Sequence, residues 1–188
     1  MTGSIFDLDR FIADCRDALR EHSPQKAVRE MAVRALADAP AMMKALGEPK
    51  RPGIGKLHES PDLTILNIVW PPGFTIMPHD HRMWAIIGIY SGREDNIFWR
   101  RIDDGDAGRI EAAGAHALMQ GDCWPLGPDI IHSVTNPIPR FTSAIQIYGG
   151  DFFNAPRSQW DPETLREERF DSARTIRLFE AGSAPVRE

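Results

Sequence analysis

Cysteine is nearly absent: Cys15 and Cys123 are the two in 188 residues, too few and too far apart for a disulfide framework or a cysteine-ligated metal knuckle. Both read as small packing residues. Positive charge is also in deficit, with 22 Lys and Arg against 27 Asp and Glu, and no stretch interleaves basic with aromatic side chains. That argues against a nucleic-acid partner, because nothing would neutralise phosphates. No long apolar run, leader-like segment or lipidation motif is present, so the expectation is a soluble, cytoplasmic protein without a membrane partner. Nothing in the sequence specifies an oligomeric state.

The length suits one domain over 1–188, divided into a helical segment (1–50), a β-barrel (54–155) and a C-terminal extension (156–188). Ser4 with Asp7 three positions on is a capping-box pattern, and Phe6, Leu8, Phe11, Ile12, Cys15 and Leu19 recur near helical spacing. Ser23-Pro24 opens a second helix with Ala27, Val28, Met31, Ala32, Ala35 and Leu36 as its apolar stripe. Ala39-Pro40 is expected to break it, with a short turn at Met42 to Leu46. These helices should cover one outer face of a sheet. From Gly53 the punctuation changes to Gly and Pro between short β-rich runs, which predicts a sandwich or barrel. Leu63 to Trp70, Trp84 to Tyr90, Asn96 to Ile102 and Phe141 to Tyr148 read as strands, and Asp103 to Asp106 as an acidic hairpin turn. Asp161-Pro162 predicts a polar helix reaching about Phe170, and the tail after Gly182 reads as frayed.

One stretch carries chemistry. In Pro78-His79-Asp80-His81 the two histidines are separated by one residue, and on an extended segment they share a face. Imidazole nitrogens hold divalent transition metals at about 2.0–2.1 Å, and a third donor must come from another strand. His132 is the best candidate. His116 has no partner at ligand spacing and reads as packed or solvated.

Gly73 followed by His79-Asp80-His81 and Gly92, then Gly121-Asp122 leading to His132 and Asn136, resembles the two motifs of the cupin superfamily. The resemblance implies an all-β double-stranded β-helix barrel with the N-terminal α-helices packed outside. Pro78-His79-Asp80-His81, His132 to Pro137 and Ile147 to Asp151 are similar to the bacterial cysteine dioxygenase group, the thiol dioxygenases, over roughly residues 55 to 155.

A further absence then matters. Cupins of most branches place a glutamate shortly after the histidine pair, yet positions 82 to 92 hold no carboxylate. The expected donor set is three neutral imidazoles, which suit iron, copper, nickel and zinc alike. Resemblance implies iron(II), with zinc or nickel as alternatives in isolated protein, and oxidation of a small-molecule thiol by dioxygen to its sulfinic acid. It also implies that the strand ending at Tyr148 faces the metal, with Gln146 and Ala144 where the family carries histidine and serine. Tyr148 and Gln146 are therefore expected to act beside the metal. Family members anchor a substrate carboxylate on an arginine before the motif; here the basic candidates are Lys56 and His58, with Trp84 as a cavity wall. Arg82 should point away. Two other readings remain: a three-histidine oxygenase cleaving a diketone or enol, and a non-catalytic cupin binding metal or a small ligand.

Overall fold

The computed structural model describes residues 6–102 and 108–181. Ser4, the turn at Asp103 to Asp106 and the tail after Gly182 lie outside them. Helix α1 (Leu8–Ala18) is capped by Asp7, whose carboxylate accepts from the Arg10 amide at 3.0 Å. Helix α2 (Pro24–Leu36) begins as expected. Ala39-Pro40 does not merely end it but opens α3 (Ala39–Leu46): Asp38 caps the Ala41 amide at 3.0 Å, and Pro40 occupies the first turn, where its missing N–H costs nothing.

The strands are β1 (Gly53–Glu59), β2 (Thr64–Trp70), β3 (Thr75–Asp80), β4 (Ala85–Ser91), β5 (Arg93–Arg101), β6 (Ile110–Met119), β7 (Cys123–Leu126), β8 (Ile131–Thr135), β9 (Thr142–Tyr148), β10 (Ser158–Trp160) and β11 (Glu167–Arg169). They form two antiparallel sheets, ordered β1-β2-β9-β4-β7 and β11-β10-β3-β8-β5-β6. From β2 to β9 the chain passes repeatedly between sheets, so sequence neighbours face one another across the interior. This interleaving is the double-stranded β-helix that the resemblance implied.

Alternation sorts the side chains into two apolar layers. Leu66, Ile68 and Trp70 of β2, Ala85, Ile87 and Ile89 of β4, and Ala144 and Tyr148 of β9 fill the space between the sheets. Their neighbours Ile65, Ile86, Tyr90, Ile145 and Ile147 face outward onto Phe11, Cys15, Val28, Ala32, Leu36 and Met42 of the helices. The central strands of the first sheet, β2, β9 and β4, are thus buried on both faces, which is why β2 and β9 lack a solvent-facing polar stripe. Among the described residues no helix is long and apolar enough to cross a membrane.

The end of the chain departs from expectation. No helix runs from Asp161 to Phe170: Asp161 closes a turn by accepting from the Glu163 and Thr164 amides at 3.1 and 2.8 Å, and β10 and β11 pair as a hairpin on β3. The Asp-Pro start signal is spent on that turn, since an aspartate cap serves either structure. The helix comes later, as α4 (Ser172–Ala181), where Asp171 caps the Arg174 amide at 3.0 Å.

Gly92 links β4 to β5 at φ +88°, and a Cβ there would meet Thr142 Oγ1 at 2.4 Å and its Cα at 2.9 Å. The conformation and the space both demand glycine. Gly92→Ala should lower unfolding free energy by about 3 kcal/mol in denaturant melts, adding a left-handed alanine to an overpacked contact.

Candidate metal centre and its chamber

Strand β3 carries a one-residue irregularity: Ile76 pairs with Val134, but His79 pairs with His132. The extra residue falls at Met77-Pro78, and the Met77 carbonyl accepts a hydrogen bond from His79 Nδ1 at 3.0 Å. Because a carbonyl only accepts, Nδ1 carries the proton and Nε2 offers its lone pair. His132, distant in sequence, lies directly opposite on the neighbouring strand, and His81 follows two residues on from His79. The ring centroids of the three are 5.0, 4.6 and 5.0 Å apart, and one ligand atom from each lies within 4.8 Å of the others. Among the described residues this group holds no carboxylate.

Burial keeps all three neutral. It lowers His79 to about 4, with the nearby Arg157 charge adding to the effect. It takes His81 and His132 well below the ordinary histidine range, each further depressed by neighbouring histidines. His132 Nε2 is buried with no hydrogen-bond partner. An orphaned imidazole nitrogen beside two others is costly in a plain core and is the donor a divalent transition metal takes. The residues fit such an ion.

A polar network behind the histidines fixes their direction. Asn96 accepts from His132 Nδ1 through its Oδ1 at 2.7 Å, and its amide nitrogen donates to Glu94 Oε1 at 3.0 Å. Trp70 Nε1 donates to the other Glu94 oxygen at 2.8 Å. Gln146 also bonds to Glu94, and its Oε1 accepts from the Tyr148 hydroxyl. Burial drives Glu94 up to about 7 against these stabilising donors. No motif marks Glu94 or Asn96 as site residues: Asn96 opens the expected strand and Glu94 lies just before it. The signal was their period-two register with Phe98, which places all three on the interior face.

Gln146 and Tyr148 are 4% and 2% exposed, turned inward as the resemblance implied rather than to solvent. The Tyr148 ring meets that of His81 edge-on at 4.9 Å, and burial raises its phenol well above the ordinary range. Both residues line a chamber of about 510 Å³ with His79 and His81.

Three expected substrate contacts lie elsewhere. Lys56 is half-exposed on edge strand β1, paired with Glu59 and set over the Phe153 ring at 4.6 Å, and does not line the chamber. His58, past a bulge in that strand, is affected by Arg16 of α1 and is also not a lining residue. Trp84 faces the helical layer because Ala85 faces inward; its indole covers Gly149 so closely that a Cβ there would lie 1.9 Å from Cε2. The basic residue of the chamber is Arg157. Its guanidinium is sandwiched 3.9 Å from the Phe152 and the Phe170 ring centroids, and burial lowers its pKa to about 10, leaving it charged at neutral pH. No periodic pattern marks this residue, which arrives on the segment that carries the chain into β10. Asp80, between the two histidines, points the other way: it accepts from the Ser158 amide at 2.8 Å and pairs with Arg82 at 2.7 Å, docking the hairpin.

No protein-family model matches the chain. Among solved structures it is similar to an RmlC-like cupin family protein with a double-stranded β-helix fold from Methanocaldococcus jannaschii, at 14% identity over 55% of this chain and 84% of that one, TM-score 0.45. An uncharacterized conserved protein with a double-stranded β-helix domain from Klebsiella pneumoniae matches at 18% identity over 62% and 87%, TM-score 0.47. Oxalate decarboxylase from Bacillus subtilis matches at 18% over 50% and 22%, TM-score 0.40. Likenesses this distant speak only to the outline of the fold, which stands on the strand order. The thiol-dioxygenase resemblance is carried by sequence motifs alone.

His132→Ala should abolish stoichiometric binding of a divalent transition metal, measured by metal analysis after dialysis. Asn96→Ala should weaken it by roughly 10–100-fold in a chelator competition, because the ring loses the partner that aims it. Glu94 supplies a pH test. Its folded pKa of about 7 exceeds the ordinary 4.5, so the fold holds the proton more tightly than the unfolded chain. The stability linked to its neutral form is fully present below pH 4.5 and is lost as pH rises through 7. Metal-free wild type should therefore lose up to about 3 kcal/mol relative to Glu94→Gln over that window in denaturant melts, with no further change above it.

Proposed function

We propose that the chain is an iron(II)-dependent dioxygenase that converts a small-molecule thiol, RSH, and dioxygen into the sulfinic acid RSO₂H. The observation that carries this reading is the all-imidazole cluster with no carboxylate in its donor set, opening into a chamber that is also lined by Tyr148, Gln146 and Arg157. An iron(II) ion held there would supply the affinity for thiolate and dioxygen that an imidazole cage alone lacks. The balance closes without a co-reactant: both oxygen atoms end on sulfur, which gives up the four electrons that dioxygen takes.

The chain's own residues bind, orient and exclude water. Arg157 pairs with an anionic group of the substrate, a planar contact that lysine reproduces poorly, and its two flanking rings hold the guanidinium flat. The Tyr148 phenol keeps its proton at neutral pH and so is no base; that proton is donated to Gln146 Oε1, and the hydroxyl turns from there to reach a bound substrate. Gln146 sets its direction and is itself held by Glu94. In this arrangement a carboxamide stands where the resembled family carries a histidine, and a buried carboxyl of β5 backs it. Phe152 and Ile76 supply the apolar wall that keeps bulk water from the sulfur.

Protein loaded with iron(II) under anaerobic conditions, given a panel of small thiols and then oxygen, should consume one equivalent of oxygen per sulfinate formed, read by an oxygen electrode and mass spectrometry. Tyr148→Phe should lower kcat by roughly 10–100-fold, within the range of a lost positioned proton donor. Silence across the panel with iron demonstrably bound would remove the thiol assignment and spare the metal site.

A further inference from the structure

A thiol acid the size of cysteine leaves most of the chamber empty. A water's share of liquid volume is about 30 Å³, so some 510 Å³ corresponds to roughly seventeen waters, and this falls in the range of pockets that enclose drug-sized ligands. Arg157, Gln146 and Tyr148 gather at the histidine pole, and on α4 the polar lining is Ser172, Thr175 and Glu180. Phe152 lies 6.1 Å from the His81 ring and Phe170 6.2 Å from the His79 ring, so the guanidinium sandwiched between those phenylalanines sits beside the histidines. Much of the remaining wall is hydrocarbon: Ile54, Ile68, Trp70, Phe153, Ile176 and Phe179.

The rim is apolar too. Ile54, Phe153 and Ile176 are 38%, 44% and 55% exposed, and these three of the most exposed large apolar side chains all border the same opening. Helix α4 forms one side. Its Phe179 is anchored in the core against Trp70 and Phe74, with centroids at 5.3 and 4.8 Å, while Ile176, one turn earlier, is left in water. A wall needed only to keep water out would bury such residues. One that ends in exposed isoleucine and phenylalanine offers a track for a ligand's hydrocarbon.

We propose that the substrate is an amphiphilic anion, its carboxylate on Arg157 beside the histidines and a medium-length alkyl chain or aryl group lying along α4 toward Ile54, Phe153 and Ile176. The sulfur as reacting group rests on the dioxygenase reading; the binding mode does not.

Isothermal titration calorimetry with the sulfur-free carboxylates propionate and octanoate tests the binding directly, with zinc-loaded protein and with protein stripped by chelator. Each methylene fully buried is worth roughly fourfold in affinity. Octanoate should bind at least thirtyfold more tightly than propionate. Arg157→Met should weaken octanoate tenfold or more while leaving 1-octanol unchanged, and Arg157→Lys should recover part of the loss. Ile176→Glu, at a position 55% exposed, should weaken octanoate and spare propionate. Equal affinity for the two acids, or octanoate binding indifferent to both substitutions, would overturn the proposal. Octanoate that binds only when zinc is present and ignores Arg157→Met would place the head on the metal and overturn it as well. These probes carry no sulfur and never turn over, so their failure leaves thiol oxidation standing, and a silent thiol panel leaves a positive titration standing.

Discussion

The centre of the molecule depends on one cross-strand pair, His79 against His132. In a regular antiparallel ladder a shift of a single residue turns every side chain on one strand to the opposite face. Between Ile76 and His79 the register changes by one, so the metal-facing end of β3 follows a different phase from its beginning. The irregularity lets Ile76 point into the core and still brings His79 onto the same interior. It also places the Met77 carbonyl where it accepts the hydrogen bond from His79 Nδ1–H. Backbone geometry thus selects the tautomer as well as the direction of the ring, and no side-chain partner is needed on that histidine.

His132 is held by the opposite strategy, a chain of buried side chains. Glu94 is an expensive residue to bury: desolvation of its charged form exceeds what the indole and two amide donors return, and its pKa rises accordingly. Replacing such a buried network by well-packed hydrocarbon commonly leaves a fold no less stable. What the carboxyl provides is orientation. With its oxygens facing Trp70, Asn96 and Gln146, the Asn96 amide can sit only one way round, and its carbonyl is left for His132. The same carboxyl meets the amide that receives the Tyr148 hydroxyl. One buried acid therefore disciplines both a metal-facing histidine and the phenol, although it touches neither.

This division explains which parts could be read from the sequence. Helix α2 carried a strong 3.6-residue stripe, and β2, β4 and β9 were bounded by Gly and Pro, so their extents fell within a residue or two, whereas α1 and α3 each begin about three positions from the expected start. The metal trio was legible because period two puts His79 and His81 on one face whatever the surrounding fold. Glu94 and Arg157 were not, for different reasons. Glu94 sits beside Asp95, which is on the outer face and paired with Arg93, and local composition cannot tell two adjacent acids apart. Arg157 stands outside any periodic element, and its place is decided by two phenylalanines, five residues before and thirteen after, that meet only once β10 docks on β3. Lys56 and His58 were favoured by proximity in sequence to the motif, but β1 is an edge strand whose bulge falls between them.

The C-terminal segment, which composition marks as a loose extension, turns out to complete the site. Its hold on the barrel starts from Asp80, the residue between the two histidines. Strand alternation sends that carboxylate away from the metal, and there it accepts from the Ser158 amide and pairs with Arg82, which in turn reaches Glu167 of β11. Gln159 then pairs in register with His79 itself, and its side-chain oxygen takes the Asp171 amide just before α4 begins. Each contact passes the position of the metal strand outward: to β10, to the hairpin that brings Phe170 onto Arg157, and to the helix that walls the chamber. The His-Asp-His triplet therefore works on both faces of one strand. Its histidines face the chamber, and its aspartate recruits the hairpin and the helix that complete the chamber wall.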